Sequence, residues 1–448
     1  MDHYDVVVVG GSAAGLTAAV TSKRHYPDKS VLLVRKEKLV PIPCGIPYIY
    51  GTVGSPEKNI MPDTPLEKMG VDIRVNEVTD IDISERQVLL AGGNRVGYEK
   101  LVLATGSMPM VPPIPGRERE GVYTVLKDVE YLSKLQKKVE KATNVVVIGC
   151  GFIGIEFADE INKLGGKNVT IVEMLRKCLM LSYDEEFCDK AENMMRERGV
   201  KIMTSEKVVG IEGRGAAEHV LLDNGQKLPA DIVLVGIGVK PNTDLAVKAG
   251  LNIGLTGSIE VDRTMRTTDP NIFAVGDCAE KHSFFGGKPS PLKLASIATH
   301  EARIAGANLF ETRRENIGTV GVWSTAIGDF AFATAGLTEK QAREMGYKVV
   351  IGRAKAPNRH PGGMPGMVEM EMKLVFDKRT GQLLGGQAMG DKAAGEVINM
   401  VSACVQNKAD AEKIAMFQTG THPALTASPV AYQFVNAAET AISQMLNE

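Results

Sequence analysis

Two short stretches limit the fold of this chain more than anything else in it. The first is Val6-Val7-Val8-Val9-Gly10-Gly11-Ser12-Ala13-Ala14-Gly15, and the second is Val145-Val146-Val147-Ile148-Gly149-Cys150-Gly151-Phe152-Ile153-Gly154. In each, a run that is apolar at every position leads into glycines, and such a run reads as a parallel strand buried on both faces. Strand, glycine turn and helix make the opening unit of a doubly wound sheet, and the turn seats a dinucleotide pyrophosphate. Two turns imply two dinucleotides, the usual arrangement for exchanging electrons. A cysteine between them, Cys44 in Pro43-Cys44-Gly45-Ile46-Pro47-Tyr48, gives those electrons an exit.

At 448 residues the chain exceeds one ordinary core and predicts two or three domains. A net charge of −2 offers no footing for nucleic acid or an anionic membrane. The start, Met1-Asp2-His3-Tyr4-Asp5, has no basic segment, and four valines are too few for a signal peptide or a membrane span. The six cysteines, at 44, 150, 178, 188, 278 and 404, include no CxxC pair and are too sparse for a disulfide scaffold. The expected compartment is therefore reducing and cytoplasmic. All cysteines but Cys44 are expected to be structural, and the seven scattered histidines predict no metal site.

The expected fold class is α/β, with two doubly wound dinucleotide-binding domains followed by an α+β domain. The first domain is discontinuous, residues 1–115 and 252–320. The second covers 116–251 and the last 321–448. The Pro/Gly-rich stretch from Pro109 to Gly116 reads as a linker, and Asn271-Ile272-Phe273-Ala274-Val275-Gly276-Asp277 returns a buried strand to the first sheet. The alternation of Val368-Glu369-Met370-Glu371-Met372-Lys373-Leu374-Val375-Phe376 predicts an antiparallel strand with one wet face. Phe434 to Leu446 reads as one short amphipathic helix, better suited to subunit packing than to anchoring.

The second turn meets its template fully. Gly149 permits the tight turn, Gly151 lets backbone approach the pyrophosphate, and Gly154 lets helix pack on strand, with Phe152 and Ile153 opening that helix. Glu173, closing Val169-Thr170-Ile171-Val172, is placed to bind ribose hydroxyls and to repel a 2′-phosphate, so NAD(H) is expected over NADP(H); Arg176 and Lys177 nearby pull the other way. The first turn is less regular. Ser12 stands at the middle glycine position, and Arg35, followed by Lys36, ends Val31-Leu32-Leu33-Val34 where an acid is usual. Two further motifs support it: Ala104-Thr105-Gly106, whose small residues permit close approach to a ligand, and Gly276-Asp277, whose acid can meet the ribityl or pyrophosphate region of a flavin cofactor.

Val9-Gly10-Gly11, Ala104-Thr105-Gly106, Gly149-Cys150-Gly151, Gly236-Ile237-Gly238 and Ala274-Val275-Gly276-Asp277, in this order and spacing, resemble the two-dinucleotide FAD-dependent disulfide reductases. The resemblance implies FAD on the first turn, NAD(H) on the second, contacts from Gly238, and a C-terminal domain that builds a homodimer. It further implies a helix beginning near Ala295 whose N-terminus faces the flavin. The larger branch of that family carries CxxxxC, whereas Ile49 stands five residues after Cys44. Cys44 therefore resembles the single-cysteine branch of coenzyme A disulfide reductases, persulfide reductases and NADH oxidases or peroxidases. A thiolate near a helix N-terminus has a lowered pKa and attacks disulfide or polysulfide sulfur.

Within that branch the peroxidases and many oxidases carry a histidine where this chain has Ala13, so disulfide, persulfide or polysulfide reduction is expected. An NADH oxidase working through a Cys44 sulfenic acid stays open, as does an electron-carrier reductase in which Cys44 is incidental. Two histidines are candidates for protonating a leaving thiolate: His422, in a His-Pro pair that lacks the family's acid five residues on, and His360. Lys23 and Arg24 on the first helix are candidates for the phosphates of coenzyme A.

Overall fold

The computed structural model describes residues 2–447 and divides the chain into two compact units. One comprises residues 1–113, 117–142 and 234–319, and the other 114–116, 143–233 and 320–448. This division differs from the expected three domains. Residues 117–142 and 234–251, expected beside the second turn, belong to the unit of the first turn, and the second turn shares a unit with the C-terminal residues.

The first unit is built on a seven-stranded sheet. Its parallel part runs Asp72–Val75, Val31–Arg35, Asp2–Val9, Arg95–Leu103, with Ile272–Ala274 also paired to Arg95–Leu103. Val6, Val7 and Val8 are fully buried, as a run with no polar position requires. The helices Ala13–His25 and Ala295–Asn308 follow their respective turns. They pack so closely that a Cβ on Gly306 would lie 2.8 Å from the Ala18 carbonyl oxygen. The helix expected near Ala295 starts at that residue.

In the second unit the strands Lys201–Thr204, Asn168–Glu173 and Asn144–Ile148 pair in parallel. The C-terminal part is a five-stranded antiparallel sheet in the order Val322–Ile327, Phe330–Gly336, Leu383–Gly390, Glu369–Asp377, Val349–Pro357. It is packed with the helices Ala394–Gln406 and Gln433–Asn447. The wet face expected of Glu369–Asp377 is lost after Glu371, and Lys373 is 1% exposed. Its ammonium lies 2.8 Å from Asp184 and 2.9 Å from both Glu186 and Glu339, so a charge that sequence assigns to solvent is neutralised inside. Asp184 and Glu186 come from the nucleotide-turn half and Glu339 from the C-terminal half, which is one reason the two halves form one unit. Among the described residues, no helix is long and apolar enough to cross a membrane.

Candidate active site

Cys44 stands on the short 3₁₀ turn Pro43–Gly45, which runs into a second, Pro47–Ile49. The helical structure next to this sulfur is thus two single turns. The thiol is exposed, while Ile46 and Ile49 beneath it are buried. Two side chains pin the loop. The Asn59 amide donates to the Ile42 carbonyl at 2.9 Å, and a Cβ on Gly45 would strike its Oδ1 at 2.0 Å, so Gly45 is needed for Asn59 to lie behind Cys44. The Gln136 amide donates to Ile49 and Gly54 carbonyls at 3.1 and 2.8 Å. Neither Asn59 nor Gln136 was identified from sequence, because each acts across the fold on backbone and carries no motif.

The first turn is closed by apposition of distant segments. A Cβ on Gly10 would sit 2.2 Å from the Ala104 carbonyl oxygen, and one on Gly15 would sit 1.8 Å from that of Gly10. Gly276, at φ +77°, lies over Ala14, where a Cβ would approach the alanine methyl to 2.9 Å. Asp277 thus arrives beside the N-terminus of the first helix, its carboxylate accepting from the Ser107 hydroxyl at 2.6 Å with the Lys127 ammonium 3.8 Å away. Thr105 donates to the Asn242 carbonyl at 2.7 Å and the Asn242 N–H to the Gly106 carbonyl at 2.9 Å. With Met110 bonded to the Gly238 carbonyl, these contacts bring Ala104-Thr105-Gly106 and Gly238 together.

Behind Gly276 lies Glu301, fully buried, which accepts from the Gly276 N–H at 2.8 Å with the Lys281 ammonium at 3.3 Å. Burial pushes its carboxyl up to about 7, against the pull of Lys281. Arg35 is buried and closed bidentately by Asp63 at 2.5 and 2.7 Å, its stem passing where a Gly11 Cβ would be. Lys36 is exposed on an open cleft of about 640 Å³ that Glu37, Lys38, Glu57 and Asp128 also line.

The second turn is held locally. The Glu173 carboxylate accepts from the Cys150 N–H at 2.7 Å and from the Leu175 N–H at 2.8 Å. A Cβ on Gly154 would lie 1.9 Å from the Gly149 carbonyl oxygen, whereas one on Gly151 would meet nothing within 4 Å. Cys150 is bonded to Cys178, with Cα atoms 4.8 Å apart. Two of the five cysteines expected to be structural thiols therefore form a bridge, which the lack of CxxC spacing concealed. Phe152 stacks edge-on to Trp323 and tilts against Tyr183. One turn into the same helix, Glu156 accepts from the Thr325 hydroxyl at 3.1 Å, and burial pushes it up to about 7. An acid within the apolar run Ile153 to Ala158 was its available signal.

Three helices, Ala13–His25, Phe152–Asn162 and Ala295–Asn308, begin at Ser12, Gly151 and Leu294 with no side-chain cap on their first N–H groups. Asp128 and Thr338 cap theirs, while Glu185–Glu197 and Ala394–Gln406 also start without a side-chain cap. Helix ends with open N–H groups are suited to pyrophosphate or to a reduced, anionic ring. The open space at Gly151, the uncapped termini and the bare approach at Gly106, whose Cβ would meet nothing within 4 Å, fit two dinucleotide cofactors.

In the second unit the structure brings His360 and His422 into one loop cluster around Thr426. His360 Nδ1 lies 3.1 Å from the Thr426 carbonyl, which only accepts, so Nδ1 carries the proton there. His422 Nδ1 accepts from the Ala424 N–H at 3.2 Å, leaving Nε2 as the protonated nitrogen of its neutral form. The Lys23 ammonium is spent on the Pro27 and Lys29 carbonyls, both at 2.8 Å, at the end of the first helix opposite its turn. Lys23 thus ties down the turn that follows the helix, at the position where sequence expects a phosphate contact. Arg24 beside it is exposed.

Comparison with known proteins agrees with this arrangement. Residues 4–302 match the family described as pyridine nucleotide-disulphide oxidoreductase, and residues 322–431 match its dimerisation domain. An NADH oxidase of Methanocaldococcus jannaschii is 32% identical over 99% of both chains. An NAD(P)H coenzyme A polysulfide/persulfide reductase of Pyrococcus horikoshii is 35% identical over 86% of this chain and 87% of that one. The solved structure of an NAD-dependent persulfide reductase from A. fulgidus superposes with a TM-score of 0.90 at 32% identity, covering 99% of this chain and 84% of the other. The chain belongs to the pyridine nucleotide-disulphide oxidoreductase family, flavoenzymes that use FAD and NAD(H).

Proposed function

We propose that this chain takes two electrons from NADH and delivers them to sulfur at Cys44, reducing a disulfide, persulfide or polysulfide. One observation carries the reading: a single exposed cysteine stands on a pinned loop in the unit of the first turn, without the second cysteine that an internal dithiol needs. FAD, when bound, supplies the two-electron link between nicotinamide and sulfur. Gly10 to Gly15, Arg35, Lys36, Ala104 to Gly106, Gly238, Gly276, Asp277 and Ala295 are the residues assigned to hold it. Gly149, Gly151 to Gly154 and Glu173 are assigned to NADH.

The Cys44 thiolate attacks one sulfur of the acceptor, forms a mixed disulfide and expels the other sulfur as thiolate. Two electrons then cleave the mixed disulfide, releasing the second thiolate and restoring Cys44. We assign His422 Nε2, with His360 as the alternative, to protonate the leaving thiolate. Coenzyme A-bound sulfur is the acceptor class that the Pyrococcus horikoshii relative favours, with Arg24 left as its cationic contact. The dimerisation match supports a homodimer.

Oxygen reduction is the second reading, supported by the oxidase relative, while Ala13 removes the histidine that peroxide chemistry uses. Anaerobic NADH oxidation with a panel of disulfides, persulfides and polysulfide tests the two. Sulfur-dependent turnover that falls by at least about a hundredfold in Cys44→Ser is expected, as for loss of a nucleophile. Turnover that requires oxygen and ignores every sulfur acceptor would overturn the reading.

A further inference from the structure

We propose that Cys150 and Cys178 form a second sulfur switch, one that sets the affinity of the second turn for its nucleotide. The proposal rests on the reading of that turn as the NAD(H) site. Cys150 is the residue between Gly149 and Gly151, so its backbone is part of the pyrophosphate cradle. Cys178 lies in the segment from Met174 to Tyr183, which follows Glu173 without regular structure and carries Arg176 and Lys177. The bridge therefore ties the cradle to the stretch that flanks the ribose-binding strand end.

The bridge adds a covalent tie to the contacts that hold that segment, among them Lys177 paired with Asp189 and Glu185 and Tyr183 buried against Phe152, Phe187 and Phe332. Leu175 donates to Glu173, Cys178 to Glu192 at 2.8 Å, and Leu179, held at φ +60°, to the Cys150 carbonyl at 2.9 Å; the Leu181 carbonyl accepts from Gln341. Met174 and Leu181 are 67% and 71% exposed. With the bridge closed, the segment is ordered before the nucleotide arrives. With the bridge open, Cys150 and Cys178 lose their covalent tie, the freedom this returns to the cradle is charged against binding, and affinity falls.

The chemistry balances with the acceptor class already proposed. Two thiols and one small-molecule disulfide exchange, through a mixed disulfide, to the closed bridge and two small thiols, and the reverse exchange opens it. Both sulfurs are buried, so exchange waits on opening of the segment and runs more slowly than turnover. An abundance of acceptor thus tightens NAD(H) binding, and an accumulation of product thiol loosens it.

The test uses flavin-loaded Cys44→Ser enzyme, in which the exposed sulfur is absent. It is equilibrated with oxidised glutathione or with dithiothreitol, desalted, and titrated calorimetrically with NAD⁺. Mass spectrometry of alkylated, unreduced digests reports the bridge. The expected result is a Cys150–Cys178 cross-linked peptide after oxidised glutathione only, with NAD⁺ bound roughly tenfold more weakly after dithiothreitol. Adding Cys178→Ala should remove the difference. Equal NAD⁺ affinity while the peptide appears and disappears overturns the proposal, as does a pair that stays reduced in both conditions. Failure of NAD⁺ to bind in either state overturns the nucleotide assignment itself, and the switch with it.

Discussion

At the first turn, the second strand ends on an arginine that points its charge away into Asp63, and the glycines are closed by segments more than ninety residues distant: Gly10 against Ala104 and Ala14 against Gly276. At the second turn the strand ends on Glu173, whose carboxylate reaches back to the turn itself, and Cys150 is tied further by the Leu179 N–H and by a bridge to Cys178. One is locked by chain elements brought together only in the completed fold. The other is locked by groups within thirty residues, one of them a covalent bond that redox chemistry can undo. That contrast suits a cofactor that stays and a cosubstrate that comes and goes.

Replacing the third glycine of each turn gives the largest expected separation. Valine at Gly15 or Gly154 would place side-chain carbon at the carbonyl of Gly10 or Gly149, where even a Cβ lies below 2 Å. Gly15→Val is expected to purify without flavin absorbance. Gly154→Val is expected to stay yellow and to lose NADH reduction of the flavin by more than about a hundredfold, since the helix can no longer pack against the turn at Gly149. Loss of flavin from both variants would erase the contrast.

A smaller effect is expected at Glu173, where Gln leaves one oxygen to serve two N–H donors. The lost charge-assisted bond is worth about 2 kcal/mol. A raised KM for NADH with kcat nearly kept, and a weaker bias against NADPH, are expected; unchanged KM values for both nucleotides would show that the turn holds without it.

The smallest effect concerns pH, and it also compares the two regions. Glu301 behind the first turn and Glu156 beside the second are each raised to about 7 by burial from 4.5. Between those values the folded protein keeps protons that the unfolded chain has released, so the contribution to stability is full below 4.5 and is lost as pH rises to 7. Asp5 and Glu186, lowered to about 2, act in the opposite sense and only in acid. Glu156→Gln is expected to flatten the decline in urea-unfolding free energy from about pH 5 to pH 7.5 by about 2 kcal/mol. Glu301→Gln should flatten it similarly while lowering stability throughout, because Lys281 loses its buried partner. An unaltered slope in both variants would contradict the burial argument.

The strand-and-glycine units were legible because their signals are local: a four-residue apolar run, then glycines. The helix at Ala295 was expected through the family resemblance. What remained hidden is non-local. Asn59 behind Gly45, Lys281 against Glu301, the Cys150–Cys178 pair and the buried charge on Lys373 each depend on segments that meet only after folding. His360 and His422 were named singly, and their junction at Thr426 has no sequence signature. The bonds from Lys23 to the Pro27 and Lys29 carbonyls were hidden too, because a helix-end lysine reads the same whether it meets a ligand or the turn that follows.

The most direct measurement is an anaerobic NADH titration of flavin-loaded enzyme after exposure to excess polysulfide and desalting, followed by flavin absorbance. Wild type is predicted to consume about one equivalent of NADH per flavin more than Cys44→Ser before the flavin bleaches, the extra pair of electrons going to sulfur stored on Cys44. Identical titration end points for the two proteins would contradict delivery of electrons to this cysteine.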